Sequence, residues 1–565
     1  MQERKDMKNI FTRTAIILAF ALASTACIYE VVPQGGSQTQ AQVSASESAM
    51  KAMIKAFNPA MFCSGAAGYA SAYGDHTDFG YPGIALRLEH MLEDIATMSD
   101  NPYYNRFFAY DMNQGQGSRY SYCGYFWQLY YSWIRLANDV IASIKPVVEE
   151  SEDSDPELAH ILGQAYAYRA MCYLDMARLY EPKLNDYTDV RSVLGLTVPI
   201  VDENTDIEKT KNNPRVDRAT MYTFIFEDLA RAEKYMDASF KSYSEPTLMA
   251  VYGMYARAYI ELGYSDDPAF PGRDSFEKAA EYAHKVIEES GKTPLTQAQW
   301  EDPSNGFNNG NSNNAWIWGL TTSSENLNNL LTFISHMSGE AAWGYARYAQ
   351  FGVSKRLYDA IPDEDWRKHS WLDPKREEYY KYKFAGTEAD KDDFLNGMPA
   401  ARDYEALKFR PAQGECSDFN VGNAGDFCMM RIEEMYFIEA EAQYHLDPQK
   451  GIELLRDFIR DYRYSSYNRI NNGADEQTFL TELLLQKRIE FWGEGILFYD
   501  YKRMDMGITR SYPGSNHAGV YKLNTVGRSP QWNIVVTRRE FQNNLGIDPD
   551  TQNNPDPSDK IELQS

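Results

Sequence analysis

Residues 124–148 read GYFWQLYYSWIRLANDVIASIKPVV, and their pattern decides the fold. Trp127, Tyr131, Ile134, Ala137 and Ile141 recur at intervals of three and four, which places them on one stripe of an amphipathic helix. A second helix is predicted over about 156–179, carrying Leu162, Ala165, Tyr166, Arg169, Ala170, Tyr173 and Leu174, with Glu181-Pro182 as its stop. Three more are predicted at about 218–237, 246–262 and 274–290. Such paired helices, with Ala and Gly where they would cross, predict a mainly α, tetratricopeptide-like frame of helical hairpins, although no clean period of roughly 34 residues is present.

Working outward, the pattern lapses over about 300–425. NGFNNGNSNN (305–314) is turn-rich, WIWGL (316–320) reads as a short strand, and RKHSWLDPKREEYYKYKF (367–384) has mixed polarity. This is an irregular, loop-rich insertion. Helical signal returns at about 429–446, 449–462 and 475–494, and the last 45 residues, rich in Asn, Asp and Pro, read as loop. The predicted frame is therefore about 120–295 plus 429–500 of a body spanning 49–565.

At the other end, Arg4, Lys5, Lys8 and Arg13 precede an apolar run from Ala15 to Ala23, and Ser24, Thr25 and Ala26 lead to Cys27. This is a secretory leader over 1–26, too short to span a bilayer. A Cys directly after the cleavage site resembles a bacterial lipoprotein signal, in which Cys27 is lipidated; lipid would be the only membrane attachment. Residues 27–48, with PQGGSQTQAQVSASES at 33–48, read as a flexible tether. With 43% hydrophobic and 24% charged residues the 565-residue chain can bury a core, and its net charge of −25 opposes phosphate backbones, so nucleic acid is not an expected partner. Of six cysteines, Cys172 falls on an apolar helical stripe, and Cys416 with Cys428 is the most plausible disulfide.

No enzyme motif is present: there is no H-E-x-x-H or G-x-S-x-G, and Gly291-Lys292-Thr293 lacks the earlier glycine of a phosphate loop. No catalytic residue, cofactor or metal set is predicted; Asp202-Glu203-Asn204 and Asp548-Pro549-Asp550 are weak calcium candidates without an EF-hand pattern. The 41 Tyr, 27 Phe and 10 Trp instead point to binding, because sugar rings stack on aromatic faces while polar side chains bond their hydroxyls. Two segments carry aromatics among small residues: SGAAGYASAYGDHTDFGYPG (64–83) and HMSGEAAWGYARYAQFG (336–352). The candidate ligand-binding residues are Tyr73, His76, Asp78, Tyr81, Trp343, Tyr345 and Arg347.

The C-terminal helices also carry a recognisable order of residues. Arg431, Glu434, Tyr436, Ala440, Glu441 and Ala442, then Arg488, Glu490, Glu494, Gly495, Asp500 and Arg503, with Trp127, Tyr131, Ile134 and Asn138, Ala167 to Tyr180, and Arg218 with Asp228-Leu229 and Ala232 upstream, resemble the motifs of the SusD/RagB family of outer-membrane nutrient-binding lipoproteins. The resemblance implies surface binding of an oligosaccharide, or of a peptide, and delivery to a SusC-like TonB-dependent barrel. It assigns no ligand residue. The matched acids and bases sit on apolar helices and are expected to pair at helix crossings. Two other readings stand beside it: a surface glycoside hydrolase on a helical scaffold, and a tetratricopeptide-type assembly scaffold.

Overall fold

The structure is a computed structural model and describes residues 46–62, 76–99, 123–150, 155–374 apart from 266, 303, 305, 328, 342 and 347–350, and 402–557. The leader, Cys27 and nearly all of the tether lie outside the described residues. The chain divides into two units, 1–50 and 51–565. Of the first, the described part is the start of the helix Glu47–Met53.

The second unit is mainly helical. Its principal helices are α1 (Tyr81–Glu89), α2 (Cys123–Glu150), α3 (Pro156–Tyr180), α4 (Arg218–Tyr235), α5 (Leu248–Gly263), α6 (Gly272–Glu289), α7 (Ile432–Leu446), α8 (Pro448–Tyr462), α9 (Glu476–Glu490) and α10 (Leu497–Arg503). Each helix from α2 to α7 packs on the next, and α6 meets α7 although the insertion separates them in sequence. This nearest-neighbour stacking is that of helical repeats. Aspartates start four of the helices: Asp155, Asp217, Asp447 and Asp475 accept first-turn N–H bonds of α3, α4, α8 and α9, which puts part of the acidic excess where orphan donors and the helix dipole favour it.

Every residue of α3 from His160 to Tyr180 is buried, so this helix is the centre of the frame rather than a surface element. Its one central cation gathers the neighbours. Arg169 donates to Asp228 on α4 at 2.7 and 2.8 Å, to Asn138 Oδ1 on α2 at 2.8 Å and to Glu203 Oε2 at 2.7 Å. Further along, Arg257 of α5 holds Glu434 of α7, and Arg503 of α10 holds Glu441 of α7. Glu490 at the end of α9 accepts from Arg431, Arg463 and Arg367 at 2.7–2.9 Å. The acids and bases of the recurring motifs do pair across helices. Glu203, in the Asp202-Glu203-Asn204 stretch, pairs with Arg169 and with Lys145 at 3.1 Å.

Strands are few among the described residues. β2 (Trp316–Leu320), the predicted WIWGL strand, pairs antiparallel with β4 (Phe427–Arg431), Leu320 opposite Phe427 and Trp316 opposite Arg431. Met429, Met430 and Arg431 are thus strand, not the start of α7, because they complete a buried ladder whose partner lies in the insertion. Cys428 in that strand is a free, buried thiol, so the Cys416–Cys428 disulfide is not made. β1 (Ile95–Thr97) pairs antiparallel with β3 (Phe351–Val353), Ile95 opposite Val353. The C-terminal stretch lacks long elements, yet Trp532, Ile534, Val535 and Val536 are buried.

Candidate functional site

The β1–β3 ladder fastens the segment after α1 to the insertion, and the two segments expected to bind ligand flank it. On the insertion side, Thr332 caps the short helix Phe333–Met337 by accepting from Ser335 N at 3.1 Å, and its hydroxyl donates to Asn423 Oδ1 at 2.8 Å. The chain then reverses so that Tyr345 N donates to Ser335 Oγ at 3.2 Å. Gly344 makes the reversal possible: its φ is +97°, and a Cβ there would lie 2.7 Å from Ser335 O.

This reversal stacks rings from both segments. Phe79 lies face to face with His336 (centroids 4.6 Å, 26°), His336 with Tyr345 (4.5 Å, 20°), and Tyr345 meets the edge of His76 (5.3 Å, 61°). His76 Nδ1 and the Tyr345 hydroxyl are hydrogen-bonded at 2.7 Å. The column therefore runs from the interior, where Phe79 and His336 are buried, to half-buried Tyr345 and exposed His76. His336 Nδ1 donates to Thr332 O at 2.8 Å, which orients the central ring. Trp343 is half-buried and lies against Gly422 of the short helix Phe419–Gly422.

The candidate residues divide on this geometry. His76 and Tyr345, 269 positions apart, come into direct contact, and Trp343 is two residues from Tyr345. Tyr73 and Arg347 lie outside the described residues. Asp78, 1% exposed, is below the surface, and Tyr81 is the first residue of α1, not a loop residue. The Tyr81 hydroxyl donates to Asp175 Oδ2 at 3.1 Å; burial first, and then the Asp175 charge, push its ionisation well above the usual phenol range. Pro82 starts the helix and turns this end of the segment inward. Phe79 and His336, which complete the column, lie within the two candidate segments, but neither residue type marks which ring will be buried beneath the others.

Among the described residues no group of three His, Cys, Asp or Glu side chains is placed to hold a metal ion, and no helix is long and apolar enough to cross a membrane.

A SusD-like family model described as starch-binding and associating with the outer membrane matches residues 81–260, and a SusD/RagB model described as the SusD family matches residues 404–545. No curated protein matches. Among solved structures, a SusD-like carbohydrate-binding protein from Bacteroides vulgatus ATCC 8482 aligns over 88% of this chain and 96% of its own at 19% identity and TM-score 0.65. A SusD superfamily protein from Bacteroides thetaiotaomicron VPI-5482 aligns over 89% and 98% at 19% identity and TM-score 0.63. Surface glycan-binding protein A from Bacteroides thetaiotaomicron, solved with laminarihexaose, aligns over 88% and 97% at 15% identity and TM-score 0.58. The two models cover the first frame helices and the buried Arg–Glu clusters of α7 to α10, which are the parts that build this fold. With both halves of the frame matched, the chain belongs to the SusD/RagB family.

Proposed function

We propose that the chain is a cell-surface nutrient-binding lipoprotein, held to the outer membrane by lipid on Cys27, that captures a saccharide at the rim formed by His76, Tyr345 and Trp343 and passes it to a SusC-like TonB-dependent barrel. The observation that carries this reading is the column Phe79–His336–Tyr345–His76, buried at one end and exposed at the other. It offers a ring face and, beside it, an imidazole and a phenol able to bond sugar hydroxyls. Because His336 and Ser335 already hold Tyr345, little side-chain freedom is left to lose on binding. Tyr73 and Arg347, outside the described residues, remain ligand-contact candidates in this proposal. Family membership and the likeness to a protein solved with laminarihexaose support the ligand class. The reaction is reversible capture, with no bond made or broken.

The test is affinity electrophoresis over a panel of glycans and peptides, repeated with His76→Ala, Trp343→Ala and Tyr73→Ala. At least one glycan is expected to retard the native chain and to lose about tenfold in affinity, ~1.4 kcal/mol, with His76→Ala or Trp343→Ala. A retained glycan that binds all three variants unchanged would place the site elsewhere, and retention by peptides alone would change the ligand class.

A further inference from the structure

A cavity of about 360 Å³ lies between the link joining α4 to α5 and the turn that ends α6. It shares no lining residue with the rim, and its size falls at the lower end of the roughly 300–1,000 Å³ of small-molecule sites. Lys241 reaches it from the link and Lys292 from the turn, with Phe240, Met249 and Ile317 as apolar wall.

Local structure fixes Lys292 in place. After α6 ends at Glu289, Gly291 turns the chain at φ +65°. Ser290 Oγ accepts from Lys292 N at 3.1 Å, and Asn314 Nδ2 donates to Gly291 O at 3.0 Å. The Gly291-Lys292-Thr293 triplet, which is no phosphate loop, is thereby clamped so that a half-buried ammonium borders the cavity.

The two lysines are left without an acid. Among the described residues neither forms an ion pair, and burial followed by the Lys241 charge pushes the Lys292 ammonium below its usual range. In a chain with 81 acidic residues against 56 basic ones, two cations facing one cavity with no carboxylate between them are an unfavourable arrangement that an anion would relieve. Thr247, also in the lining, precedes the first turn of α5 and makes no side-chain cap, so the positive end of that helix adds to the field.

We propose that this cavity is a second binding site, for an acidic saccharide whose carboxylate or sulfate lies between Lys241 and Lys292 while its ring rests on Phe240, Met249 and Ile317. That the ligand is a saccharide rests on the carbohydrate-binding reading above; the requirement for an anion does not.

Calorimetric titration of the native chain with trigalacturonate and with a chondroitin sulfate tetrasaccharide tests it, beside a neutral galactose oligomer and inorganic sulfate. At least one acidic probe is expected to bind more tightly than the neutral oligomer and than sulfate, to weaken with added salt, and to lose about tenfold with Lys292→Gln or Lys241→Gln. His76→Ala is expected to leave that binding unchanged. Circular dichroism checks that the variants fold; both side chains are solvent-accessible, and Lys292→Glu serves as a second variant of opposite charge. Acidic probes that bind no better than the neutral oligomer, or equally well to the double Gln variant, overturn the proposal. So does sulfate binding as tightly as the saccharides, which would mark a free-anion site. Neutral glycan binding that depends on His76, with no preference for acid, sinks this site and leaves the rim standing; no saccharide binding of any kind sinks both.

Discussion

Glu490 shows how single residues hold this molecule together. Burial alone would raise its carboxyl, but Arg463, Arg431 and Arg367 hold it well below the usual carboxylate range. Replacing one member of such a set leaves buried charge uncompensated, so Glu490→Gln is expected to destabilise the chain by about 3–5 kcal/mol, read from the urea midpoint. Glu89 on α1 is the opposite case. It has one backbone donor, Gly495 N at 3.0 Å, and burial pushes its carboxyl up from 4.5 to about 8. Between those values the folded chain keeps a proton that the unfolded chain has lost, so stability falls as pH rises through that window. Glu89→Gln keeps an acceptor for Gly495 and cannot ionise. Its melting temperature is expected to match the native chain near pH 5 and to exceed it increasingly toward pH 8; a constant difference across that range would remove Glu89 as the cause. Residue types at the rim were readable in the same local way: His76, Trp343 and Tyr345 stood out as polar and aromatic groups among small residues. Pro82, a helix-start signal, marks where the segment holding Asp78 and Tyr81 leaves the loop for α1.

At the scale of elements, periodicity carried most of the information. The stripes of α2 and α3 were visible because each helix repeats its apolar residues over many turns, and four aspartate caps mark the starts. The crossings depend on small residues as expected. A Cβ on Gly451 of α8 would lie 2.5 Å from the backbone N and Cα of Tyr444 on α7, which cannot rotate aside. Gly451→Ala is therefore expected to cost about 1–3 kcal/mol in denaturant titration. Gly519→Ala, where a Cβ meets nothing within 4 Å, should stay within about 0.5 kcal/mol and serves as the control. What sequence did not reveal is pairing over distance. Met429 and Met430 continued an apolar run into α7, but their true partner is β2, more than a hundred residues earlier. The C-terminal stretch read as loop because it has no period; in the fold its amides substitute for strand partners. Asn533 bonds both N and O of Lys183, Asn544 bonds both N and O of Asn213, and Asn554 bonds the carbonyls of Tyr180 and Ile534. No local pattern announces such contacts.

At the scale of the molecule, the frame and the rim answer different demands. Buried arginine–carboxylate clusters tie the frame helices together: Arg169 is held by Glu203 and Asp228, and Glu490 by Arg431 and Arg463. The insertion leaves this frame after α6, returns as β4 and α7, and on the way brings Tyr345 to His76. The frame was legible because its motifs recur in order along one chain. The rim was legible only in part, since the column through His336 and Phe79 depends on a contact between segments far apart in sequence, which residue types cannot specify. The most direct test of the account is the dissociation constant of the glycan retained in the panel, measured by calorimetry for the native chain, His76→Ala and Tyr345→Phe, the last of which removes only the hydroxyl that meets His76. Weakening by about tenfold for His76→Ala and by a smaller factor for Tyr345→Phe, with melting temperatures unchanged, is the predicted result. Identical constants for all three chains would contradict it.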